Sequence, residues 1–280
     1  MIQKEGGTVE SPATTPMHNQ DVSAAFGSLA RNYDVTFDPN VVITRLRKNL
    51  YGTISNLVHP PATILDINCG TGTDALHLST KGYSTVGVDI SEEMIAEALK
   101  KSADNPKAQF TRMSYDDMGA LPENRFDLVL SNFGGLNCTS DLRTVGEHVA
   151  KRLKPEGYFV AVLMPSFSLW ETYAYAARGQ LKQAFRRLRR GGTQTEFNGK
   201  AFTVHYFNPQ KAAQQFASHF FVREVYAWNV FTPPPHAWRV ATTFPRLTAQ
   251  LEKIDRMICH VPLFRSIGDH YVMVLEKRPR

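Results

Sequence analysis

The residues whose types and spacing could do chemistry begin with two acids and a pair of glycines. In Ile64-Leu65-Asp66-Ile67-Asn68-Cys69-Gly70-Thr71-Gly72-Thr73-Asp74, an acid sits near the end of an apolar run and a glycine-rich turn follows. Gly70 and Gly72 allow a sharp turn and a close approach of backbone to ligand, with no Cβ between them. Asp66 inside such a turn would repel a pyrophosphate, but it can accept hydrogen bonds from an ammonium group. A second acid, Asp89, ends Val86-Gly87-Val88-Asp89-Ile90, where a carboxylate can grip a ribose diol. The turn lacks G-x-G-x-x-G spacing, because Ala75 occupies the third site. Asp89 alone does not discriminate, since nicotinamide domains also use an acid there.

Alternating strands and helices must position these groups. The apolar runs Thr63–Ile67, Thr85–Val88, Ala108–Arg112, Phe126–Ser131 and Tyr158–Met164 read as five strands. Between them, Thr73–Thr80, Ser91–Lys101 and Leu142–Leu153 have helical spacing, with Ser91 as an N-cap and Lys154-Pro155-Glu156-Gly157 as a stop. Strands joined by single helices cross over right-handed into a parallel sheet covered on both faces. Upstream, Val22, Phe26, Leu29, Ala30 and Tyr33 recur at helical spacing, as do Val42, Leu46, Leu50, Ile54 and Leu57, until His59-Pro60-Pro61. Downstream lie a basic helix over Arg178–Arg190, the turn Gly191-Gly192, a helix over 209–217 and a strand over Phe220–Val230. A helix near Leu247–Ile258 and a last strand, Tyr271–Glu276, close the chain.

The 280 residues, 42% hydrophobic and 21% charged, are enough for one α/β core with a cap and lie well outside the disordered class. A net charge of +6 suits an anionic substrate, a nucleic acid or a membrane surface, and equally well mere solubility. Cys69, Cys138 and Cys259 are far apart and form no CxxC pair, so reduced thiols and no metal site are expected. The first twenty residues have no apolar signal core, and no run nears the roughly 18 residues of a membrane span. A soluble, cytoplasmic protein, monomeric or homodimeric, is the expectation.

The stretch ILDINCGTGTDALHL, with GVDIS and MIAEA after it, resembles the class I S-adenosylmethionine (SAM)-dependent methyltransferase family. That family's first motif is an acid-x-Gly-x-Gly-x-Gly run, and the resemblance covers residues 60–164. Asn68 stands where the family most often has Gly, and Asn tolerates positive φ better than most residues. The resemblance implies a doubly wound, mostly parallel seven-stranded α/β sheet with an N-terminal helical lid and a cap inserted after strand five. Its divisions would be a disordered leader (1–19), lid helices (20–60), a SAM-binding core (61–164), and a cap with the final strands (165–280).

It further implies SAM as cofactor. Asp66 would lie near the methionine ammonium, Asn68, Gly70, Thr71 and Gly72 around the methionine moiety, and Asp89 on the ribose. Ile90 would face the adenine, with Met94 and Tyr115 also in contact. Either Ser114 or Asp116 would meet the adenine amino group, the alternative for Asp116 being a solvated helix cap. Asn132 and Phe133 would border the transferring methyl, and Tyr33 would close on the methionine end.

The acceptor side is less defined. The seventh strand of this topology runs antiparallel, so its start, Gly268-Asp269-His270-Tyr271, falls on the cofactor edge of the sheet. His270 is a candidate general base beside Asp269, or the pair simply caps the strand. His205 and Tyr206 are further candidates. Arg178, Lys182, Arg186, Arg187, Arg189 and Arg190 cluster without an apparent acidic partner, and suit anionic lipid or a solvated face. Aromatic residues surround this region as they do small-molecule pockets. The expected activity is methylation of a small, partly hydrophobic metabolite at O, N or C, with no nucleic-acid partner. The alternatives are an RNA or protein methyltransferase using the basic segment, and a non-catalytic SAM-binding scaffold.

Overall fold

A computed structural model describes residues 16–279. Its centre is a seven-stranded sheet built from β1 (Thr63–Ile67), β2 (Ser84–Asp89), β3 (Ala108–Arg112), β4 (Phe126–Ser131), β5 (Leu153–Leu163), β8 (Phe220–Trp228) and β9 (His270–Lys277), in the order β3-β2-β1-β4-β5-β9-β8. The first five are mutually parallel, and β9 runs antiparallel between β5 and β8, with Leu163 opposite Tyr271. The start of β9 therefore lies beside the carboxyl ends of β4 and β5, as the sequence reading requires. The sheet is the expected doubly wound one.

The two-residue period of the strands feeds two cores. Ile64, Leu128, Leu130, Val160 and Val162 face one way, onto Val42, Leu46, Leu50 and Ile54 of α3 (Val41–Leu57). Leu65, Ile67, Val129, Phe159 and Ala161 face the other way, onto Val145 and Val149 of α6 (Leu142–Arg152) and Phe216 of α9 (Pro209–Phe216). Between strands, α4 (Thr73–Thr80) follows the glycine turn and α5 (Glu92–Lys101) follows β2. Helix α5 has Ser91 Oγ accepting from Met94 N at 3.3 Å, acids in its first turn and lysines in its last, so cap and dipole agree.

Four expectations change. Residues 1–15 of the expected leader lie outside the described residues, while 16–19 belong to helix α1 (Pro16–Gly27), followed by α2 (Ala30–Phe37). The helix before Lys154–Gly157 ends at Arg152, one residue early, and β5 begins directly at Leu153 rather than at Tyr158, because Leu153 pairs with Phe126. The basic helix is broken into α8 (Leu181–Ala184) and a 3-10 turn (Arg186–Leu188), preceded by α7 (Leu169–Ala176). Arg187 is the physical reason: the break turns it into the protein, onto two acids. A hairpin of β6 (Thr193–Phe197) and β7 (Lys200–Val204), joined by Asn198-Gly199, was not anticipated, although Asn-Gly is the favoured two-residue hairpin turn. The cap is completed by α10 (Trp238–Thr243) and α11 (Pro245–Ile258).

Candidate active site

Two cavities meet at the carboxyl ends of β1, β2 and β4, where open parallel sheets take their ligands. The inner cavity, about 110 Å3, is a cleft running from Ile90, Met94 and Tyr115 to Tyr33, Arg47 and Asp74. The outer chamber, about 530 Å3, lies under the cap. Phe26, Tyr33, Arg47, Phe133, Gly134 and Cys138 line both, so one shared wall separates them.

At the inner end, Asp89 is held by its own strand end. Its Oδ2 accepts from Gly70 N and its Oδ1 from Ser91 N, each at 2.9 Å. Each carboxylate oxygen keeps a second lone pair for a diol. Burial pushes the Asp89 carboxyl up, and the backbone N–H groups of Ser91, Gly70 and Ile90 work against that. Ile90, Met94 and Tyr115 supply apolar surface alongside. Gly70 presents bare backbone to the cavity: a Cβ there would find only Met94 Sδ, at 4.0 Å.

At the other end a charged cluster gathers. Asp74 accepts from Tyr51 Oη at 2.6 Å and from Asn132 Nδ2 at 2.9 Å. Arg47 is ion-paired to Asp38 at 3.1 Å and to Asp74 at 3.2 Å, and lies 5.5 Å from the Phe133 ring centre. Burial pushes the Tyr33 hydroxyl up to about 12, so it stays a hydrogen-bond donor. The cluster offers carboxylates for an ammonium and a guanidinium for a carboxylate, the two charges of an amino-acid end group. The donor set thus fits a nucleoside joined to an amino acid.

Helix α2 is latched over this end. Thr71 Oγ1 donates to Asp34 Oδ1 at 2.6 Å, and Lys101 Nζ donates to Asp34 Oδ2 at 2.7 Å and to Thr71 Oγ1 at 3.1 Å. Asn19 of α1 donates to Asp116 Oδ2 at 3.1 Å and lines the inner end.

The structure brings Asn68, Gly70, Thr71, Asp89, Ile90, Met94, Tyr115, Asn132, Phe133 and Tyr33 to the cavity wall, as expected. It does not bring Asp66, Gly72, Ser114 or Asp116 to that wall. Asp66 is buried behind it beside Asp74 and Asp89; burial first, then those acids, push its carboxyl well up against the pull of Arg47. Its Oδ2 has no hydrogen-bond partner. Gly72, at φ +78°, serves packing, since a Cβ would stand 2.6 Å from the Phe110 ring. Ser114 caps the turn Tyr115–Ala120 by accepting from Asp116 N. Asn68 takes the αL conformation at φ +63° and accepts from Ser131 Oγ; its side chain occupies the space a Cβ on Gly135 would need.

Arg47 and Asp74 were given no role in the sequence reading. The signal for Arg47 was a cation inside the apolar stripe Ile43, Leu46, Leu50, Ile54 of α3.

In the outer chamber, His270 Nδ1 lies 3.0 Å from Asp269 Oδ2. Arg187 holds Asp269 in turn, through Nη2 to Oδ1 at 2.9 Å and Nη1 to the carbonyl at 3.0 Å. The same guanidinium donates from Nε and Nη2 to Glu171 Oε2, at 2.9 and 2.7 Å, and Arg186 Nε donates to Glu171 Oε1 at 2.5 Å. Burial alone would raise the Asp269 carboxyl, but His270, Arg187 and His236 hold it well below the usual range. Burial would raise Glu171 as well, and Arg187 with Arg186 keeps it low. The basic cluster therefore does have acidic partners. Tyr206 lines the chamber under Arg187, whereas His205 lines neither cavity: strand-like alternation turns it away while Val204 and Tyr206 face in. His205 is set aside as a catalytic candidate. Burial pushes the Cys138 thiol up to about 12, so the shared wall carries no thiolate. Among the described residues no cluster of His, Cys, Asp and Glu could hold a metal ion, and no helix is long and apolar enough to cross a membrane.

Comparison with known proteins bears on the domain and the fold. Residues 64–157 match the sequence model of a family described as a methyltransferase domain. A putative methyltransferase, YqeM of Bacillus subtilis, is 30% identical over 113 residues, which are 39% of this chain and 45% of that protein. The mitochondrial arginine-hydroxylase NDUFAF5 of Rattus norvegicus is 34% identical over 107 residues, 38% of this chain and 30% of that one. The chain thus spans less than half the length of these curated relatives. The Burkholderia thailandensis 1,6-didemethyltoxoflavin-N1-methyltransferase, solved with 1,6-didemethyltoxoflavin and S-adenosylhomocysteine bound, superposes with a TM-score of 0.60 at 17% identity, over 97% of this chain and 94% of that one.

Proposed function

We propose that this chain, a class I SAM-dependent methyltransferase by its sheet and its methyltransferase domain, methylates a small, partly hydrophobic acceptor held in the outer chamber. SAM is the cofactor of that family, and when bound it supplies an electrophilic methyl group on a sulfonium. Asp89 would hold the ribose hydroxyls, Ile90 and Met94 the adenine face, and Arg47 with Asp74 the amino-acid end. Asn132, Phe133 and Gly134 would border the methyl, since Phe133 and Gly134 line both cavities and Asn132 lines the inner one. Aligning donor and acceptor in line is most of what such a displacement needs from the protein.

His270 is our general base. The ionised Asp269 accepts a hydrogen bond from Nδ1–H and fixes one tautomer, which leaves the Nε2 lone pair to receive the acceptor's O–H or N–H proton. Asp269 positions His270, and Tyr206 offers a hydroxyl to the acceptor. The observation that carries the reading is the shared wall: a cleft with nucleoside and amino-acid donors adjoins a largely apolar chamber containing an oriented histidine. The basic segment favours a macromolecular acceptor less than its composition suggested, because two of its six cations are spent on Glu171 and Asp269.

The test is incubation with methyl-labelled SAM and a panel of phenolic and N-heteroaromatic acceptors, following S-adenosylhomocysteine. His270→Gln is expected to lower kcat by about 100- to 10,000-fold while leaving SAM affinity unchanged. A fully active H270Q removes His270 from the mechanism. Absence of S-adenosylhomocysteine with every acceptor and with cell extract favours the scaffold reading.

A further inference from the structure

We propose that the outward face of the segment from Tyr173 to Arg190 is a docking surface for an anionic lipid bilayer. The inference needs neither SAM nor methyl transfer. From 172 to 195 the sequence contains no acid and six cations. The fold sorts those cations into two groups. Arg186 and Arg187 turn inward onto Glu171, whereas Arg178, Lys182, Arg189 and Arg190 are exposed. Among the described residues these four form no ion pair; Arg178 and Arg189 donate only to backbone carbonyls, of Ala174 and Lys182. Some other surface cations are neutralised, such as Lys100 by Glu97 and Lys151 by Glu147; here the four open cations share a stretch that contains no acid.

Four large apolar side chains are open to solvent among these cations: Tyr173 at 70%, Leu181 at 61%, Phe185 at 47% and Leu188 at 57% exposure. Interleaved cations and exposed apolar groups on one short segment have the composition of an interfacial anchor, in which apolar side chains enter the headgroup boundary and cations meet lipid phosphates. A nucleic acid would satisfy the cations, but it would leave Leu181 and Leu188 with nothing to bury against. The same segment supplies Arg186 and Arg187 to the wall of the outer chamber. Docking would therefore bring that chamber close to the bilayer, where an apolar acceptor concentrates.

The experiment is co-sedimentation of the full chain with phosphatidylcholine vesicles, with and without phosphatidylglycerol. Phosphatidylglycerol is expected to raise the bound fraction, with a partition coefficient at least about tenfold larger that falls with added salt. Lys182→Glu with Arg189→Glu should abolish that gain, and Leu181→Ser with Leu188→Ser should weaken it several-fold. All four positions are exposed, and an unchanged circular-dichroism melt confirms that the variants fold. No sedimentation with anionic vesicles overturns the proposal, as does equal binding to neutral ones or undiminished binding by the charge-reversed chain. Retention of an RNA oligonucleotide without vesicle binding would overturn it in favour of a nucleic-acid face.

Discussion

Replacing Arg187 by methionine keeps much of its bulk and removes its charge. Arg187 donates four hydrogen bonds, between 2.7 and 3.0 Å, that tie α7 to the start of β9. The side chains it joins are only 5% exposed in Glu171 and 4% in Asp269. Arg186 still reaches Glu171 in the variant, but Asp269 loses its guanidinium and keeps only the hydrogen bond to His270 and the more distant His236. Removing one partner of a buried ion pair typically costs about 3–5 kcal/mol, because the other charge stays buried and unpaired. For a chain of this size that corresponds to a loss of about 6–15 °C in Tm.

The pH dependence has a definite sign. Glu171 and Asp269 are held below their ordinary values in the folded protein. They therefore contribute stability that is fully present above about pH 4 and is lost as pH falls through the folded values. Without Arg187 that contribution shrinks or reverses, so the stability gap between wild type and variant must narrow on acidification. Guanidinium unfolding at neutral and mildly acidic pH measures both quantities. A loss under about 1 kcal/mol at neutral pH, the range of an exposed pair, would refute the reasoning, as would a gap that widens with acid.

Other consequences follow for the cofactor cleft. Asp89→Ala is expected to weaken SAM binding by at least about 1.5 kcal/mol through loss of a charge-assisted contact, and unchanged calorimetric affinity in a folded variant would remove that assignment. Asp34→Ala opens the latch to Thr71 and Lys101, so SAM should dissociate several-fold faster in stopped flow with little change in melting temperature; an unaltered off-rate would show that α2 does not gate the cleft. Burial raises Asp66 and Asp89; hydroxyls donating to Asp89, and a cationic ligand in the cleft in front of Asp66, favour their ionised forms. Binding should therefore release protons at mildly acidic pH, and affinity should rise with pH through the range above ordinary carboxylate values. Binding heats that do not depend on buffer ionisation would contradict this.

How much of this was legible beforehand follows from how local each signal is. The five parallel strands, Ser91 as a cap, and the cavity positions of Gly70, Asp89 and Ile90 are visible because each rests on a few adjacent residues. Asp269 and His270 could be placed at the right edge only through the antiparallel last strand that the family resemblance implied. Roles that depend on distant partners were hidden. Arg187 read as one of six surface cations, because its acids lie 16 and 82 residues away. Asp66 has the motif's register, yet the turn carries Asp74 to the wall and leaves Asp66 behind it, which spacing alone does not reveal. The β6–β7 hairpin carries its own local signal, the Asn198-Gly199 turn between two alternating segments. Asn68 fits where glycine is usual because Gly135, from another loop, makes room for its side chain.

The most direct test of the central claim is calorimetric titration of the purified chain with SAM and, separately, with NADH. The account predicts saturable micromolar binding of SAM and none of NADH, because Asp74 on the cleft wall, with Asp66 buried behind it, would repel a pyrophosphate. Silence with SAM, or binding of NADH in its place, would contradict it.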